Sequence, residues 1–143
     1  MITTEDTNVM ILFLSISKRM STNLYQWCGT QNRTRYVDIS KLASSLGEDV
    51  CQGLIGLHAF TGCHTVSSFA GREKLTALKH LKESETHHEA FSHLEEGWDV
   101  SSDLFANMQT FVCCLYASTA NTCEVNELRY QLFCEKREEV DSS

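Results

Sequence analysis

Residues 54–81 read LIGLHAFTGCHTVSSFAGREKLTALKHL. Leu54 and Leu57 recur at helical spacing, and Thr61-Gly62-Cys63-His64 then turns the chain. Thr65 to Gly71 is a small-residue loop carrying a second glycine, and Arg72 to Lys82 reads as a basic helix. A Gly-bearing loop that opens into a helix N-terminus can present backbone N–H groups to phosphate. Plain helix packing uses the same arrangement, and the pattern alone leaves both uses open.

Upstream, Val9 to Ile16 (VMILFLSI) shows no alternation and reads as a strand buried on both faces. Ser17 to Thr22 reads as a short turn, Leu24 to Cys28 as a second strand, Gly29 to Asn32 as a polar turn, and Arg35 to Ile39 as a third strand. Ser40 suits the N-cap of a helix over Lys41 to Leu46, which Gly47 ends. Glu48 and Asp49 then favour the first turn of a helix reaching about Phe60, with Val50, Leu54 and Leu57 on one face. Downstream, Glu83 to Glu96 is helical around Phe91 and Leu94. Ser102 caps a helix over Asp103 to Tyr116, Ser118 to Cys123 is a loop, and Val125 to Lys136 forms a last amphipathic helix.

The order of these pieces resembles the flap-endonuclease-like nucleases of the PIN-like fold. In that family a strand leads into a helix, then a helix ending in Leu-x-Gly-[Cys/Ser]-Asp, then a Gly-x-Gly loop and a basic helix, the helix–two-turn–helix that binds DNA. The matching segments here are TRYVDISKLASSLG, DVCQGLIGLHAFTGCHT and FAGREKLTALKHL, and Thr4 to Leu12 resembles the family's Glu-Asp-x-Asp strand. The resemblance spans about Thr3 to Lys82. More narrowly, the whole chain is similar to mobile-element-associated animal proteins that carry this nuclease-like half. It implies an α/β fold with a partial PIN-like three-layer sheet of about three strands, a helix–two-turn–helix-like segment at 54–82, and additional C-terminal helices. The expected division is a nuclease-like region over 1–97 and an acidic helical extension over 98–143. Only two weaker strands follow the first, so either the sheet is small and self-completed or the chain is the C-terminal half of a larger fold. The resemblance favours the half.

The family hydrolyses phosphodiesters with divalent ions held by carboxylates, which activate water and stabilise the leaving oxygen. By resemblance the catalytic and metal-holding positions here are Asp6, Asn8 and His64, with Mg²⁺ or Mn²⁺ as the cofactor. Asn8 offers a neutral carbonyl oxygen, and His64 an imidazole that suits Zn²⁺, Fe²⁺ or Mn²⁺ better than Mg²⁺. Two of three carboxylates are thus replaced, and impaired hydrolysis is expected. The second glycine of the family's Gly-x-Gly is Glu73, which puts a negative charge where phosphate would sit, and Lys74 falls one place early. The residues left to meet branched or junction DNA are Ser67, Ser68, Gly71, Arg72, Lys74, Lys79 and Lys82. Weak, salt-sensitive binding without sequence preference is the expectation.

Charge divides the 143 residues unevenly. Residues 1–82 hold nine Lys/Arg against six Asp/Glu, and residues 83–143 hold three against thirteen. The first part can approach nucleic acid, and the second repels it or forms a solvated surface. Two further readings follow: an active metal-dependent nuclease subunit that needs another half, and a protein-interaction module built on the acidic C-terminal helices. The eight-residue apolar run is too short for a bilayer, and acidic Glu5 and Asp6 before it do not suit a secretory leader. No membrane partner is expected. Seven cysteines without a Cys-x-x-Cys pair read as reduced thiols of a nuclear or cytoplasmic protein rather than a zinc ribbon. His87, His88 and His93 read as solvent-exposed residues of a Glu-rich helix rather than ligands shared with Cys113 and Cys114. A Cys63–His58 nucleophilic pair lacks any group to orient the histidine. Trp27 and Trp98 read as packing residues.

Overall fold

A computed structural model of the chain describes residues 2–3, 6–30, 33–62, 69, 71–94, 97, 99–119 and 121–141. The elements are β1 (Ile2–Thr3), α1 (Thr7–Ile16), a single 3₁₀ turn (Ser17–Arg19), β2 (Tyr25–Thr30), β3 (Arg33–Asp38), α2 (Ile39–Leu46), α3 (Glu48–Phe60), α4 (Lys74–Glu83), α5 (Glu85–His93), α6 (Ser102–Tyr116) and α7 (Val125–Asp141). The fold is α/β and mostly helical. Its sheet is a small antiparallel pair, β2 with β3, in register at Trp27↔Tyr36 and Gln26↔Val37. The two-residue β1 lies parallel along the other side of β2, opposite Gln26 and Trp27.

The apolar run Val9 to Ile16, expected as a strand buried on both faces, is helix α1. An eight-residue apolar run carries no periodicity that separates strand from buried helix. The local signal that decides is Asp6, whose side chain accepts from the Asn8 backbone N–H at 2.9 Å and caps the helix. Met10, Leu12 and Leu14 lose little rotamer freedom in a helix. Leu14 is buried and Met10, Ile11 and Phe13 pack against the core, while Leu12 and Ile16 remain exposed.

Other boundaries shift by a residue or two. Asp38, not Ser40, caps α2 by accepting from Lys41 N at 2.9 Å. Ser40 Oγ instead accepts from Leu24 N at 3.0 Å and ties β2 to the start of α2. Ser101, not Ser102, caps α6. Gly47 ends α2 and opens α3 with a φ of 89°, the left-handed region that glycine enters without steric cost.

Helix α3 lies at the centre and packs against α1, α2, α4 and α5. Its approach to α5 is close enough that a Cβ on Gly56 would stand 2.3 Å from the Phe91 carbonyl oxygen. Around that contact sits an aromatic cluster. Phe91 and Phe111 meet edge-on at 4.8 Å, and Phe60 meets Phe91 at 5.7 Å and Phe69 at 5.4 Å. Phe111 comes from α6, so residues beyond 98 share one apolar core with α3 and α5.

His87, expected in solvent, is buried in this cluster. Its Nδ1 lies 3.2 Å from the His80 carbonyl oxygen and its ring stands edge-on to Phe111 at 5.2 Å. The Glu-rich composition of α5 hid an inward face shared with Ala90 and Phe91, three and four residues on.

Candidate functional site

Three helix ends bring together side chains that lie far apart in sequence. Asn8 stands in the first turn of α1, His58 in the last turn of α3, and Lys74 is the first residue of α4. His58 Nε2 lies 2.5 Å from Asn8 Oδ1, and its Nδ1 lies 3.0 Å from Lys74 Nζ. Burial pushes the His58 imidazole below its usual range. The Lys74 ammonium pushes it further, and Asp6 acts in the opposite direction. A neutral ring satisfies every contact: the Lys74 ammonium donates to Nδ1, and Nε2–H donates to the Asn8 carbonyl oxygen.

This arrangement bears directly on the expected ligand set. On a strand, Asp6 and Asn8 are expected on one side, since alternate residues point the same way. At the start of a helix they do not. Asp6 is the N-cap and turns its carboxylate onto the backbone, while Asn8 turns to His58. The Asn8 oxygen that would face a cation accepts from an imidazole, and an ammonium closes the other side. Among the described residues no three His, Cys, Asp or Glu side chains are grouped so as to hold a metal ion. His64, Cys63, Ser67, Ser68 and Trp98 lie outside the described residues.

The basic residues expected to meet DNA divide among several tasks. Gly71 has a φ of 68°, so the loop uses glycine where the backbone requires it. Arg72 does not face solvent with its whole guanidinium. Its Nη2 donates to the Tyr116 carbonyl oxygen at 2.8 Å and its Cζ lies 5.0 Å from the Tyr116 ring centroid. That carbonyl is the last of α6, where the helix dipole favours a cation. Lys79 pairs with Glu83 one turn on, at 3.9 Å between exposed groups. Lys74 and Lys82 are exposed, and Lys74 also touches His58.

The described thiols differ in burial. Cys28, Cys51 and Cys113 are buried, and burial raises the Cys51, Cys113 and Cys114 thiols above their ordinary range. Sequence reasoning missed the partnership of His58 with Asn8 and Lys74. The local sequence offers Cys63, five residues away, as a partner for His58. The real partners are 50 and 16 residues distant, and no local spacing encodes them.

Comparison with protein-family models, with curated proteins and with solved structures finds no match.

Proposed function

We propose that the chain is a nuclease-like domain of the flap-endonuclease type in which metal-dependent phosphodiester hydrolysis is impaired and a weak phosphate contact persists along α4. The order β3, α2, α3, a turn at Thr61-Gly62, the Gly71 loop and the basic α4 supports the kinship. The observation that carries the reading of lost hydrolysis is the Asn8–His58–Lys74 chain. What supports that reading is that Asn8 Oδ1 is already engaged by His58, and His58 by Lys74. Lys74 and Lys82 remain as the cations for a phosphate backbone.

The test uses the full chain with labelled branched and duplex DNA in millimolar Mg²⁺ or Mn²⁺. No cleavage is expected, and the melting temperature should be indifferent to either metal. A metal that binds only the folded state at about 100-fold above its Kd would add about 2.7 kcal/mol and raise the melt visibly. Binding to duplex should weaken with salt, with a log–log slope of about −2, the signature of two phosphate contacts. Cleavage in either metal that Asp6→Ala abolishes would overturn the proposal in favour of an active nuclease subunit.

A second reading, protein docking through the acidic helices, draws on exposed Tyr130 and Phe133 of α7. Leu128 is buried against the fold, so it reports on stability rather than docking. Partner capture lost in Tyr130→Ala and Phe133→Ala, with Lys74→Gln unchanged, would favour this reading.

A further inference from the structure

Three cysteines meet where α6 gives way to α7. Cys113 and Cys114 stand in the last turn of α6, and Cys123 stands two residues before α7 begins. The chain between them doubles back along α6. Val125 N donates to Gln109 Oε1 at 3.3 Å, so the start of α7 is fastened about two turns back from the end of α6. Gln109 and Cys113 are four residues apart and share one face of that helix. Cys123, just before Val125 on the returning chain, is thereby carried alongside Cys113. The turn is held on this course by its own bonds. Glu124 N donates to Thr122 Oγ1 at 3.1 Å, and Thr122 Oγ1 donates to Glu127 Oε2 at 3.2 Å.

Electrostatics agrees with the chain path. Burial raises the Cys113 and Cys114 thiols, and after burial the charge of Cys123 is the largest cause that raises each of them. A charge acts on a thiol in this way only from nearby. All three thiols are free, and they differ in access. Cys123 is exposed, Cys114 half-buried, and Cys113 only 1% exposed. An exposed thiol meets an oxidant first, and a shielded neighbour is kept for the second step.

We propose that Cys123 is a site of oxidation by peroxide and that Cys113 resolves it, closing a reversible disulfide that staples the start of α7 to α6. In the first step the Cys123 thiolate sulfur attacks peroxide. An S–O bond forms, the O–O bond breaks, and the other oxygen leaves as water, so that sulfur is oxidised to a sulfenic acid. In the second step Cys113 gives up its proton and its sulfur attacks Cys123. The S–S bond forms, the S–O bond breaks, and hydroxide leaves with that proton as a second water. Two thiols are oxidised and one peroxide is reduced.

The experiment treats the full chain with a small excess of hydrogen peroxide, blocks the remaining thiols with N-ethylmaleimide and digests with chymotrypsin. Cleavage after Tyr116 separates Cys113 from Cys123, so a bond between them joins two peptides in the mass spectrum. The joined pair should appear with peroxide, disappear with dithiothreitol, and account for two of the seven thiols. Cys123→Ser should abolish the link and Cys114→Ser should keep it, with circular dichroism melts showing that each variant folds. The linked chain should melt about 5–10 °C above the reduced chain, since the bond closes a short loop. Peroxide should leave the melt of Cys123→Ser unchanged. Absence of the link, its survival in Cys123→Ser, or its formation only between two copies of the chain overturns the proposal. Loss of the link in folded Cys114→Ser overturns it too, by making Cys114 the resolving thiol, and a linked chain that melts no higher than the reduced one removes the staple.

Discussion

Lys74 Nζ lies 3.0 Å from His58 Nδ1, an ammonium beside an imidazole whose pKa burial already lowers. The lysine is the second cause of the lowered His58 pKa, and Asp6 opposes it. Lys74→Met removes the charge, so the His58 pKa should move up towards the ordinary histidine value of about 6.5. Asp6→Asn should move it further down. The His58 ring-proton titration in an NMR pH series reads both shifts. Lack of response to Lys74→Met would show that the two groups do not meet in solution.

Acid should weaken the fold. His58 and His87 both have folded pKa values below the unfolded value, burial being the largest cause in each. As pH falls below about 6.5 the unfolded chain takes up protons that the folded chain refuses. Their contribution is therefore complete above that pH and is lost as pH drops towards the folded values. Urea midpoints at pH 7.5 and 5.5 should show a clear fall on acidification. His58→Asn should lessen the fall without abolishing it, because His87 remains between His80 and Phe111. An acid-insensitive midpoint in the wild-type chain would count against the buried placement of His87.

How legible was this in the sequence? The helices with strong spacing and clear punctuation, α3 and α6, stand within a residue of where the pattern puts them, because caps and periodicity agree there. The first apolar segment failed for a physical reason. Hydrophobicity on all sides leaves no periodicity to read, and Asp6, which caps the helix, stands in a stretch whose pattern resembles a strand. His87 failed similarly, since a Glu-rich helix can still turn one histidine inward. Of the candidate site, Asp6, Asn8 and Lys74 were singled out for separate tasks. What joins Asn8 to Lys74 is His58, and that contact exists only once α1, α3 and α4 are packed.

The α3–α5 contact makes a sharp test of the packing. Gly56→Ala places a methyl 2.3 Å from a backbone carbonyl oxygen, which cannot rotate away as a side chain could. The helices must separate, at a cost of about 1–3 kcal/mol from overpacking. A gain in helix propensity of about 1 kcal/mol offsets part of it. Gly53→Ala meets Phe91 Cβ at 3.3 Å and should cost less. Chemical denaturation of the two variants should rank Gly56→Ala as the less stable. The reverse order would mean that α5 does not cross α3 at Gly56.

Arg72 offers the clearest separation of structure from nucleic-acid binding. Its guanidinium donates to the terminal carbonyl of α6 and lies over the Tyr116 ring, which in turn meets Phe69 edge-on at 6.1 Å. The residue thus ties the start of α4 to the end of α6. Arg72→Ala should cost about 1 kcal/mol, the scale of a partly exposed hydrogen bond with a cation–π contact. Arg72→Lys should recover only part, since an ammonium cannot present a planar fork to the ring and the carbonyl together. The measurement pairs a urea melt with the salt dependence of duplex binding. Stability should fall in Arg72→Ala while the salt slope keeps its wild-type value, and Lys82→Gln should do the opposite. A slope that becomes shallower by one in Arg72→Ala, with the melt unchanged, would return Arg72 to the phosphate contacts and remove it from the fold.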